Sequence, residues 1–160
     1  DWAAVSGGTP SGATGPTGDH TSGSGQYLYV EDSGTDNDTV SMVSPIFNIT
    51  SLTSPYLSIW VHSDANVAGA FYGGDTSFND LKIEVFSGGA WVLMDSIGVL
   101  NTGWNEYLYD LGSYANILRF RFRVNNNNLG DFVHDIAIDD FMIFNLPAVE
   151  AIRNAPYVRM

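Results

Sequence analysis

Cysteine is absent from the 160-residue chain, which excludes disulfides and thiolate zinc sites alike. Basic charge is nearly as scarce: six Lys and Arg face 18 Asp and Glu, for a formal net charge of −12. Such a chain repels phosphate backbones and anionic membrane surfaces, so nucleic acid is not an expected partner. No apolar run approaches the roughly 20 residues of a membrane-spanning helix, so membrane insertion is not expected either. No segment keeps a helical period beyond about two turns. Catalytic motifs are missing as well. There is no HExxH, GxSxG or P-loop, and His20, His62 and His134 are not spaced as a metal set. Nothing marks two carboxylates as a glycosidase dyad. The chain is therefore read as non-catalytic.

What is present describes a β-rich globular unit. The chain is 44% hydrophobic and 13% aromatic, enough for one domain with a real core. Seventeen glycines, with many Ser, Thr, Asn and Asp residues, imply frequent turns. The excess carboxylates suit a hard, oxygen-bound cation such as Ca²⁺, or they simply solvate the surface.

Residues 6–26 are rich in Gly, Ser, Thr and Pro and are expected to be irregular. Alternating runs then read as strands at 27–31, 39–47, 55–63, 81–87, 91–97, 104–111, 117–125 and 134–144. Pro45 marks an edge or a strand end. In 55–63, Leu57, Ile59 and Val61 oppose Tyr56, Ser58, Trp60 and His62. In 117–125, Leu118, Phe120, Phe122 and Val124 point inward and Arg119, Arg121 and Arg123 outward. Short, turn-linked strands at regular spacing predict an antiparallel β-sandwich or jelly roll.

The last strand breaks its own pattern. Asp140 falls among Ile136, Ile138, Met142 and Phe144, while Asp139 shares the other face with Asp135, Ala137, Phe141 and Ile143. Whichever face is buried, one carboxylate points at apolar neighbours unless a bulge intervenes. A buried carboxylate needs backbone donors, an Arg or a metal ion. Hydrogen bonding and Ca²⁺ answer that need equally well.

The block SGGTPSGATGPTGDHTSGSGQYLYVE, then Ser44-Pro45, a strand with Trp60 and His62, and finally DIAIDDF, resembles the MAM domain family over residues 1–145. Residues 146–160 read as a tail or linker. The likeness is to cysteine-free bacterial versions in secreted, multidomain surface proteins. It implies an extracellular, non-catalytic jelly roll serving adhesion, oligomerisation or ligand binding, secreted or at the cell surface. The motif positions carried over are Asp19, His20, Asp135, Asp139 and Asp140. The resemblance also implies a structural Ca²⁺ where the last strand meets the N-terminal segment, with Asp19, Asp135, Asp139 and Asp140 as its ligands. Asp19 either joins that ion or caps its own loop. His20 is expected as a packed, hydrogen-bonded loop residue, because Ca²⁺ takes oxygen. Two departures stand out. The disulfide-forming cysteines of animal members are missing. Members also carry an acidic-aromatic strand ahead of the positions matching Asp1-Trp2, so a jelly roll lacking its first strand is expected, with a partner segment as one way to complete it.

Weaker candidates complete the reading. The Arg119/Arg121/Arg123 stripe either pairs across strands with carboxylates such as Glu106 or Asp110, or faces an anionic glycan. Trp104 and Tyr107, with Tyr27, Tyr29 and Tyr109, form either a stacking platform for sugars or part of the core. Asp32, Asp36 and Asp38 read as a solvated turn, and Asp75 and Asp80 as exposed loop residues. The expected function is a non-catalytic interaction module for a protein or glycan partner. The alternative is a carbohydrate-binding module that targets an attached enzyme to a polysaccharide.

Overall fold

The computed structural model describes residues 1–10, 14–31, 39–65, 79–125 and 134–147. The described residues form two packed antiparallel sheets and no helix, a β-sandwich of the jelly-roll kind. Sheet A has the order β1 (Trp2–Val5), β2 (Tyr27–Val30), β10 (His134–Asn145), β5 (Pro55–Ala65), β8 (Asn105–Asp110). Sheet B has the order β3 (Thr39–Val43), β9 (Ile117–Asn125), β6 (Asp80–Ser87), β7 (Ala90–Ile97), and β4 (Phe47–Asn48) also pairs with β9.

The two-residue alternation decides what lies between the sheets. Leu57, Ile59 and Val61 of β5 are 0% exposed, and so are Leu81, Ile83 and Val85 of β6. Phe120 and Val124 of β9 meet them from the same sheet as β6. Each fully buried side chain of this size contributes about 1.5–3 kcal/mol. Together they fix the register, since a slip of one residue would turn the apolar set outward.

Three local departures from the sequence reading have physical causes. The run 39–47 is two strands, because Pro45 interrupts the ladder between Val43 and Phe47. Trp2–Val5 is an edge strand against β2, which its short WAAV pattern did not reveal. The β10–β5 register shifts between Asp139 and Met142, and Asp140 takes φ +48°. That bulge switches the parity of the strand. Ile136 and Ile138 face the core before it, and Phe141 and Ile143 pack against the core after it. Met142, expected beside the isoleucines, is 53% exposed instead.

The sandwich is jelly-roll in class, as expected. On the side of β2, β10 is paired over Ile136–Ile138, whereas its pairing with β5 runs from His134 to Asn145. Asp32, Asp36, Asp38, Asp75 and nearly all of the tail at 146–160 lie outside the described residues.

Candidate functional site

The irregular segment after residue 13 is not a free linker. Residues 14–25 lie across the outer face of sheet A and are bound there by residues of the last strand. The Thr14 hydroxyl donates to Asp135 Oδ2 at 3.0 Å, in a buried position. The His20 backbone N–H donates to Asp139 Oδ2 at 2.8 Å. His20 Nδ1 donates to Asp140 Oδ2 at 2.8 Å, and the Thr21 hydroxyl donates to that same oxygen. The His20 ring lies on the indole of Trp60, with centroids 3.5 Å apart and an interplanar angle of 16°. The Trp104 indole N–H donates to Gly18 O at 3.3 Å and closes the other side of the loop.

Asp19 works inside the loop. Its carboxylate accepts from the Ser22 and Gly25 backbone N–H groups and from the Ser22 hydroxyl. Hydrogen bonds led by that of Ser22 hold its pKa below the ordinary carboxylate value. Gly18 is required where it stands, because a Cβ there would sit 2.4 Å from Gly23 O.

The bulge supplies the rest. At φ +48° the Asp140 side chain swings to the outer face, where it is 39% exposed and gathers Thr21 and His20. The Thr21 hydrogen bond, then that of His20, pulls its pKa down. Both donors use Oδ2, so Oδ1 accepts no hydrogen bond among the described residues. Beside it opens a cavity of about 420 Å³ lined by Ser58, Trp60, Asp140, Phe141 and Met142. Its wall combines an aromatic ring, a thioether, a hydroxyl and a fixed carboxylate.

The motif positions therefore meet in space. Asp139, Asp140 and His20 form one latch, Asp135 lies further along the same strand with Thr14, and Asp19 caps its own loop. His20 is packed and hydrogen-bonded, as expected of a loop residue. The fit to Ca²⁺ is poor. Asp19 and Asp139 are engaged by N–H donors, and Asp140 Oδ2 already holds two partners. Among the described residues, no group of three or more His, Asp or Glu side chains is placed to hold a metal ion. Hydrogen bonding meets the cost of the stranded carboxylates, by the bulge that the alternation alone does not reveal.

The other candidates lie elsewhere. Tyr107 and Tyr109 pack against the core, and the Tyr109 hydroxyl donates to Asp95 Oδ2 at 2.9 Å. Trp104 packs edge-on against Tyr27 and His62. These rings fill space or anchor the loop, and they do not form one open platform. The arginines pair with neither Glu106 nor Asp110, which belong to the other sheet. Arg121 Nε donates to Glu84 Oε2 at 2.6 Å, and Arg123 reaches Glu84 Oε1 at 3.2 Å. Glu84 sits between them because β6, not β8, neighbours β9, and hydrogen bonding to Arg121 lowers its pKa most.

Sequence reasoning missed Trp60, Ser58 and Met142 as a cluster. The signal available was that Trp60 and Ser58 alternate outward. Met142 joins them only after the bulge.

No protein-family model matches the chain. Among solved structures it is similar to TmCBM61 in complex with β-1,4-galactotriose, at 12% identity and TM-score 0.46, over 76% of this chain and 71% of that one. It is also similar to the K3 cleaved adhesin domain of Lys-gingipain from Porphyromonas gingivalis, at 17% identity and TM-score 0.44, over 90% and 91%. A third likeness is to the arabinose-bound α-L-arabinofuranosidase MgGH51, at 12% identity and TM-score 0.49, over 89% of this chain but 23% of the enzyme.

Proposed function

We propose that the chain is a non-catalytic carbohydrate-binding module of a larger secreted or surface protein, with its ligand in the cleft beside Trp60. The observation that carries this reading is Asp140. Its carboxylate is fixed through Oδ2, leaves Oδ1 open, and stands at a cavity walled by an indole. A sugar hydroxyl donates well to such an oxygen, and the apolar face of a pyranose suits an aromatic wall. The cavity falls within the roughly 300–1,000 Å³ typical of small-ligand sites. A carboxylate at the rim favours a neutral sugar over an anionic one.

The test is retention on a panel of neutral polysaccharides, by affinity electrophoresis and titration calorimetry. Trp60→Ala is expected to weaken binding by about tenfold or more, the weight of a central aromatic contact. Asp140→Asn, whose one carbonyl oxygen is taken by the latch, turns the open acceptor position into an NH2 donor. It should also weaken binding, though less than the loss of the indole. Absence of any retained glycan from the panel would sink the reading.

A second reading, a MAM-type adhesion module with a protein partner, is favoured by one observation. The two sequence blocks that carry the resemblance, GDHT and DIAIDD, are joined at the latch. It predicts capture of a protein partner or self-association by sedimentation, with no glycan retained.

A further inference from the structure

The outer face of sheet B holds a charge distribution that the rest of the chain does not. All four basic residues within the described part, Lys82, Arg119, Arg121 and Arg123, project from it, against the carboxylates of Asp80 and Glu84. The chain as a whole carries −12. A cationic face on so acidic a chain is a local feature of β9 and β6 and owes nothing to composition.

Its members are not equivalent. Glu84 is committed to Arg121 and Arg123. Arg119 has no carboxylate partner among the described residues. Its guanidinium lies 5.2 Å from the ring centroid of Phe86 and 5.5 Å from that of Trp91. Arg121 in turn lies 4.4 Å from the Trp91 centroid. Aromatic contacts orient a guanidinium plane without using its donors, so Arg119 keeps its N–H fork for a ligand. Alternate residues of a strand stand about 7 Å apart, so the three arginines form a straight row of cations on a rigid support.

We propose that this face is a second ligand surface, for an acidic polysaccharide bearing carboxylate or sulfate groups, with Arg119 as the residue that pairs with the anion. The aromatic rims of Trp91 and Phe86, with the 53% exposed Leu93 beside them, offer apolar contact to sugar C–H faces. A polynucleotide or an anionic bilayer presents a denser array of charge, which the acidic remainder of the chain repels. The surface is separate from the Trp60 cleft, which lies on the other sheet, so the two sites stand or fall independently.

The experiment is affinity electrophoresis of the whole chain in gels containing polygalacturonate, chondroitin sulfate or a neutral galactan, at about 50 and 500 mM NaCl. Phosphatidylglycerol vesicles and single-stranded DNA serve as competing polyanions. The expected result is retention by an acidic polysaccharide that high salt abolishes. Arg119→Gln should weaken it about tenfold, near the weight of one charge-assisted hydrogen bond. Arg119→Lys should restore part of the binding, and Trp60→Ala should leave it unchanged. Preference between polygalacturonate and chondroitin sulfate distinguishes carboxylate from sulfate. Three results would overturn the proposal. One is no retention by either acidic polymer, and another is binding confined to vesicles or DNA. The third is an Arg119→Gln variant with a lowered melting temperature but unaltered retention, which would make Arg119 a packing staple of the β6–β7 hairpin.

Discussion

The two outer faces of the sandwich obey the same two-residue alternation and meet opposite fates. On sheet A, outward-pointing Tyr27, His62 and Asp135 are 2%, 6% and 0% exposed, because residues 14–25 cover them. On sheet B, the outward arginines stay at the surface and are met by Glu84 and by aromatic rings. Alternation thus sets the direction of a side chain and leaves its solvent to be settled by whatever lies above. Under the loop, Tyr27 and Asp135 find hydrogen-bond partners in Pro16 O and the Thr14 hydroxyl, and in the open a polar side chain can wait for a ligand.

Acid should separate the buried polar groups from the open ones most sharply. His134, 1% exposed, accepts from the Asn79 backbone N–H at Nδ1 and has Ser63 Oγ 2.7 Å from Nε2, so it is the neutral tautomer carrying its proton on Nε2. Burial pushes its pKa from 6.5 down to about 4. The unfolded chain therefore binds the proton first. Stability is complete above pH 6.5 and falls toward pH 4, by about 3 kcal/mol from this group. Asp140 and Glu84, with lowered pKa values, are lost in the same direction at still lower pH. Urea titrations across this range check the slope, and His134→Gln should flatten it.

Next in size, Asp139→Ala removes the acceptor of the His20 N–H. A loss of about 1–2 kcal/mol is expected, with faster proteolysis within residues 14–25 and no change in the sheet B arginines. Glu84→Gln is the matching change on the open face. Arg121 and Arg123 are 26% and 32% exposed, so solvent screens the loss to under about 1 kcal/mol. Its effect should shrink in high salt, whereas that of Asp139→Ala should persist. The smallest effect belongs to calcium. With the carboxylates already engaged, adding chelator or millimolar Ca²⁺ should move the melting temperature by less than about 1 °C in calorimetry, as for any solute without a site on the folded state.

Most strands were legible in the sequence because each carries its own alternation. Arg119, Arg121 and Arg123 declare an exposed face without reference to any other part of the chain. What was not legible depends on pairs distant in sequence. That Glu84 rather than Glu106 meets the arginines follows from strand order, which alternation does not encode. The suspicion around Asp139-Asp140 was sound, since two adjacent carboxylates in an apolar strand demand a remedy. Its form, a bulge with φ +48° and partners at His20 and Thr21, needed the register of β10 on β5. The Trp60 cleft was hidden for the same reason, as Met142 reaches it only through that shift in parity.

The latch also sets an order of events. His20 and Asp139 are 119 positions apart, so the contact closes a loop nearly as long as the domain. Closing it early would cost chain entropy with few neighbouring contacts to offset the loss. The segment that precedes β2 in the chain is thus settled late, once β10 has paired with β5. Because β10 lies between β2 and β5, the face that the loop covers is itself complete only when that strand is in place.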